Sequence, residues 1–221
     1  MKIDDGFQES LQDVLRVRDH EILSALTVKV RFFSLRQITD TFFASDMANA
    51  TRRLRTLEAR GFLVQRRLIA RTPPRLEAPL ICWKPGQNRP DADHLSHSLK
   101  KRWERQGVRQ RICYFPGPKY QALTGFPCRT SPIHQLHATH DLGLAELYLF
   151  FRSQRVTDAK QWRGENAFSC GELRKQQPDA ILVDSSNQFV SAIEYGGLYN
   201  AKRLDRFHRW CQQRSLPYEL W

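Results

Sequence analysis

With 221 residues, 41% of them hydrophobic and 26% charged, the chain can bury one large core or two small ones, which excludes a disordered protein. The balance of 35 Lys and Arg against 23 Asp and Glu gives a net charge of +12, an excess that suits a polyanionic partner. No run approaches the ~20 apolar residues of a membrane span, so no membrane partner is expected.

The opening MKIDDGFQES lacks the apolar core of a signal peptide, and a cytoplasmic location is expected. Five cysteines (Cys82, Cys113, Cys128, Cys170, Cys211) are scattered without CxxC spacing and read as reduced thiols.

Val17–Thr27 places Ile22, Leu23 and Leu26 on one face, the pattern of an amphipathic helix. Ser34 is set to cap a second helix, LRQITDTFF, with Gln37 at the capping-box position. Ser45 or Asp46 caps a third, MANATRRLRTLEAR, which stops at Gly61. Phe62–Arg71 then reads as a strand. A turn at Thr72-Pro73-Pro74 and a return strand, Pro79–Lys84, complete a β-wing.

Gln87–Asp93 is polar and reads as a loop, followed by a short basic helix, His94–Gln106. Tyr114–Gly125 holds two prolines and two glycines and does not fit a single regular element. His134, His137 and His140 follow at H-x-x-H-x-x-H spacing. That spreads them over too wide an arc of a helix for one tetrahedral ion.

His140–Phe151 predicts an apolar helix, Asn200–Gln213 a basic amphipathic one and Leu216–Trp221 a final strand. Between those helices, the apolar runs Ala180–Val183 and Phe189–Ile193 flank Asp184-Ser-Ser-Asn187, the pattern of a β-hairpin. Asp179 opens its first strand and Glu194 closes its second, so two carboxylates should meet at one end of a buried sheet. Such a pair suits Mg²⁺ or Mn²⁺, hard cations that take oxygen ligands and activate water.

Three helices and a wing resemble a winged helix-turn-helix, and Leu54…Leu57-Glu58-Ala59-Arg60-Gly61-Phe62-Leu63 is similar to its helix–wing junction. The resemblance implies a DNA-binding unit over residues 14–125, with double-stranded DNA as partner. The third helix would offer Asn49, Thr51, Arg52, Arg53 and Arg55 to base edges. Arg66, Arg67, Arg71 and Arg75 on the wing would meet phosphate.

The order Pro178-Asp179, hairpin, Glu194 resembles the PD-(D/E)XK nuclease pattern, which implies a nuclease-like mixed sheet flanked by helices over residues 131–221. Glu146 would then be an accessory acid. The motif's lysine position is Gly196, and Lys202 is its nearest substitute in sequence. Together with His140, these features resemble the replication-relaxation family, which includes MobC-type plasmid mobilisation proteins. The resemblance implies mobilisation or replication control of a plasmid or mobile element, with a second copy or other element or defence subunits as further partners.

Two functions stay open at this point. One is a metal-dependent endonuclease or nickase using Asp179, Glu194, Glu146 and Lys202. The other is a non-catalytic DNA-binding regulator or complex subunit with a degenerate nuclease fold.

Overall fold

The computed structural model describes residues 15–104, 106–124, 135–167 and 178–221. MKIDDGFQES, Cys128, His134, Cys170 and the expected join between 125 and 131 lie outside the described residues.

The first three helices follow from their caps. In α1 (Val17–Ser24), buried Asp19 reaches back to the Arg16 amide at 2.8 Å, and the helix runs on into a π-helical segment, Ala25–Lys29. A two-residue strand, β1 (Phe33–Ser34), leads into α2 (Leu35–Phe42). There the expected capping box forms: Ser34 Oγ accepts from the Gln37 amide, and Gln37 Oε1 accepts from the Ser34 amide. Asp46 caps α3 (Met47–Ala59) by accepting from the Asn49 amide at 3.0 Å. Gly61 ends it at φ +77°, where a side chain would be strained.

The strand that follows, β2 (Leu63–Arg71), does not pair with the expected return strand. Its partner is β4 (Val108–Pro116), antiparallel from Leu63↔Pro116 to Arg71↔Val108. The expected return strand, β3 (Ile81–Trp83), instead pairs with the C-terminal strand β8 (Tyr218–Leu220). The ribbon is therefore closed across a long insertion that carries β3 and α4 (Ala92–Glu104) into the second sheet's neighbourhood. Tyr114–Gly125, expected to be irregular, splits into the end of β4 and a short helix, α5 (Pro118–Thr124). Pro118 stands first in that helix, where a missing N–H costs nothing.

The first sheet has the order β1-β4-β2. Alternation along the ribbon sends Val64, Leu68, Ala70, Cys113 and Phe115 inward, onto Ala138 and Leu142 of the long helix α6 (Gln135–Gln154). Arg67 and Ile69 face outward.

The second sheet has the order β3-β8-β7-β6-β5, with β5 (Trp162–Gly164) following a short helix, α7 (Val156–Gln161). The expected hairpin forms from β6 (Ala180–Val183) and β7 (Phe189–Glu194), antiparallel with a register shift at Leu182/Val183. Its turn is held by Asp184 Oδ1, which accepts from the Ser186 and Gln188 amides, while Asn187 takes φ +58°. β7 and β8 run parallel, joined by α8 (Ala201–Gln213).

One face of this sheet packs Ile181, Val183 and Ala192 against Phe207, Trp210 and Cys211 of α8. The other packs Ala180, Leu182 and Ile193 into the cluster that also holds Tyr148 and Phe151 of α6 and Ile22, Ile38 and Leu54 of α1–α3. One continuous core thus joins the two sheets through α6. The fold is mixed α+β, and among the described residues no helix is long and apolar enough to cross a membrane.

Candidate functional site

The two carboxylates do meet. Ala180 pairs with Ile193, so Asp179 and Glu194 lie side by side at the hairpin's open end, and the Asp179 amide donates to Glu194 Oε2 at 3.2 Å. The Tyr195 amide donates to Asp179 Oδ2 at 2.7 Å. The same oxygen lies 3.1 Å from His140 Nε2, and His140 Nδ1 lies 3.5 Å from Asp141. Asp141 in turn pairs with Arg31 at 3.3 Å, which ties the cluster to the N-terminal half.

From the other side, α8 supplies the closure. Asn200 caps it by accepting from the Arg203 amide. That phase turns Arg203 toward Tyr199, with Nη2 2.8 Å from the phenol and the guanidinium 3.7 Å above its ring. Arg203 also lies 3.9 Å from Glu194 Oε1, and the Tyr199 hydroxyl is 3.1 Å from His140 Nε2.

The cluster is charged and, apart from half-exposed Arg203, largely shielded from water. Glu194 is 3% exposed. Burial first, then the neighbouring Asp179 charge, push its carboxyl up to about 8, against the pull of His140 and Arg203. Burial works against a charged His140, but Asp179 and Asp141 outweigh it and hold the imidazole well above its ordinary value. Burial and the two carboxylates likewise raise Tyr199.

These shifts carry a sign. Glu194 and His140 both bind their protons more tightly folded than unfolded, so each stabilises the fold in acid and loses that contribution as pH rises. For Glu194 the loss runs from its ordinary 4.5 to about 8. Lys29, lowered to about 8 by burial and by Arg163, acts in the opposite sense only above that pH. Between pH 5 and 8 the melting temperature should therefore fall. Glu194→Gln should flatten the slope by a few kcal/mol, roughly 5–10 °C. Parallel melting curves for the two proteins would refute this.

Other residues expected at the site lie elsewhere. Glu146 accepts from Gln37 Nε2 at 2.9 Å and so faces α2 rather than the carboxylate pair. Lys202 is exposed and makes no hydrogen bond or ion pair among the described residues. The Asn200 cap turns it outward, and Arg203 is the cation present. A lysine at Gly196 would displace its neighbour, because a Cβ there would stand 2.3 Å from Leu99 Cδ2 of α4. The carbonyl of Gly196 accepts from Arg102 and from Trp103 Nε1.

The residues do not fit Mg²⁺ or Mn²⁺. Such an ion takes several oxygen ligands and retains waters. Here Asp179 Oδ2 is shared by an amide and His140, Glu194 Oε2 accepts from an amide, Glu194 Oε1 lies 3.9 Å from Arg203, and Tyr199 hydrogen-bonds the Glu194 carboxyl. Among the described residues no group of three or more His, Cys, Asp or Glu is arranged to hold a metal.

The expected DNA contacts also divide. Arg52 and Arg55 on α3 are exposed, with Arg52 Nη2 3.2 Å from Asn49 Oδ1, and Thr51 is half-buried. Arg53 is turned inward onto fully buried Asp19, at 2.5–3.2 Å over three contacts, and belongs to the core. On the ribbon, Arg67 is exposed, whereas Arg66 lies over the Phe115 ring at 5.6 Å. Arg71 is committed to the Gln106 carbonyl at 2.7 Å, in a cleft with Arg102, Trp103, Thr139 and Tyr195. Arg75 pairs with Glu77 in the open. Cys82, Cys113 and Cys211 are free thiols.

Tyr195, Tyr199 and Arg203 are the site residues that reading the sequence missed. The signal was present in Tyr199-Asn200 and Arg203, an N-cap with an aromatic residue and a cation four apart. No family model, no curated protein and no solved structure matches the chain.

Proposed function

We propose that the chain binds double-stranded DNA, with α1–α3 and the β2–β4 ribbon acting as a winged helix-turn-helix. The supporting observation is a surface of exposed arginines. Arg52 and Arg55 on α3 and Arg67 on the ribbon are exposed and pair with no carboxylate among the described residues. The helix and the ribbon are joined locally, where the Gln65 amide of β2 donates to Glu58 of α3 at 3.1 Å. An exposed helix face beside a ribbon, both cationic, matches a groove and its flanking phosphates.

In this reading the Asp179–Glu194 pair is a polar lock, fastening α6 through His140 and α8 through Arg203 to the sheet. The C-terminal half is a nuclease-like scaffold without its metal. The likeness to replication-relaxation proteins supplies the setting: cytoplasmic control of plasmid or mobile-element mobilisation or replication. Duplex DNA is the first partner, and a second copy or other element subunits are the next.

Binding to duplexes selected from a random pool tests this reading. Arg52→Ala should weaken the selected site by about 1–3 kcal/mol and relax its sequence preference. Arg67→Ala should weaken all sequences alike and reduce the salt dependence. Wild-type binding by both variants would overturn the assignment.

A second reading, metal-dependent nicking, is favoured by one observation: the two carboxylates do converge at the hairpin's open end. It requires His140 and Tyr199 to withdraw from them.

A further inference from the structure

We infer that the outer face of α8 is a second phosphate-backbone contact, separate from α3 and the ribbon. This rests on the DNA-binding reading and adds a surface to it. Lys202, Arg206 and Arg209 are spaced i, i+4, i+7, which puts them within about 60° of one another around the helix. All three are exposed, and none pairs with a carboxylate among the described residues. The one acid on α8, Asp205, is taken by Arg89 at 2.5 Å. The opposite face of the helix is fixed in the core by Leu204, Phe207, Trp210 and Cys211.

The cationic row is therefore held on a rigid, packed element rather than on a tail. α4 packs alongside through Leu95, Leu99 and Leu204 and brings exposed His97 and Lys101. Among the described residues none of these charges forms an ion pair within the fold. Keeping a row of like charges on one face costs self-repulsion, which a polyanion relieves on binding. Two guanidiniums and an ammonium in one exposed row suit the repeating charge of phosphate, a contact independent of sequence.

The test is anisotropy binding of the full chain to a random-sequence duplex and to a selected duplex over a range of salt. Lys202→Gln, Arg206→Gln and Arg209→Gln are combined in one variant, and Arg52→Gln, Arg55→Gln and Arg67→Gln in another. Glutamine keeps helix propensity, and melting curves check that each variant folds. The α8 variant should lose affinity for both duplexes about tenfold or more, with a salt slope shallower by about two to three. It should keep the ratio between the duplexes, which the α3 variant should lose.

An α8 variant with wild-type affinity and slope overturns the second contact while leaving the DNA-binding reading in place. An α3 variant with wild-type behaviour beside a weakened α8 variant overturns the α3 assignment and supports α8 alone. Absence of salt-dependent binding by the wild type overturns both.

Discussion

Arg53→Ala should cost about 3–5 kcal/mol of folding stability. Asp19 has no exposed surface and takes three contacts from the Arg53 guanidinium across α1 and α3. It also accepts from the Arg16 amide that opens α1. Without Arg53, a carboxylate is left buried and unpaired, which costs far more than the ion pair contributes. Replacing both partners with apolar residues, Asp19→Leu with Arg53→Met, should recover most of the loss. Denaturant unfolding measures both. The neighbouring Arg52→Ala should show the reverse pattern, with stability unchanged and DNA affinity reduced. An Arg53→Ala protein as stable as wild type would show that the pair does not hold α1 to α3.

Gly196→Lys should destabilise by about 3 kcal/mol rather than restore a catalytic centre. The obstacle is the neighbour: Leu99 is fully buried, and its two methyl carbons would stand 2.3 and 2.7 Å from the new Cβ. The Gly196 carbonyl is also held by Arg102 and Trp103, so the backbone after β7 cannot swing away cheaply. Leu99→Ala opens a cavity on its own, and in combination with Gly196→Lys the two costs should fall short of their sum. Thermal melts of the four proteins give the coupling. Full additivity would mean that Leu99 is not what excludes a side chain at 196.

How far the sequence reveals this molecule depends on how local each feature is. The Ser34–Gln37 capping box, the Asp46 cap, Gly61 and the Asp184–Asn187 turn all act within a few residues, and each stands where its chemistry requires. Strand pairing is not local. Ile81–Trp83 and Ile112–Phe115 are both apolar and β-prone, and nothing near β2 says which will lie beside it. The choice is made by α6, whose Ala138 and Leu142 fit the inward row that Cys113 and Phe115 complete.

The candidate site divides the same way. The meeting of Asp179 and Glu194 follows from hairpin register, which two apolar runs and a turn suffice to set. Their company does not, because His140 and Arg203 arrive on two helices from outside the hairpin. The choice between Lys202 and Arg203 is a matter of helix phase, one residue in a turn, and the Asn200 cap decides it. Arg52 and Arg53 differ by one residue as well, and there the buried acid on α1 decides which turns inward.

A single gel tests the central claim most directly: the protein incubated with supercoiled plasmid carrying its selected site, with Mg²⁺ or Mn²⁺ present. DNA binding beside a locked acidic pair predicts a retarded band that returns to intact supercoiled DNA once the protein is stripped off. Failure to retard the plasmid would contradict the binding claim. Nicked product that disappears with Asp179→Ala would contradict the lock, showing that the carboxylates had opened to a metal.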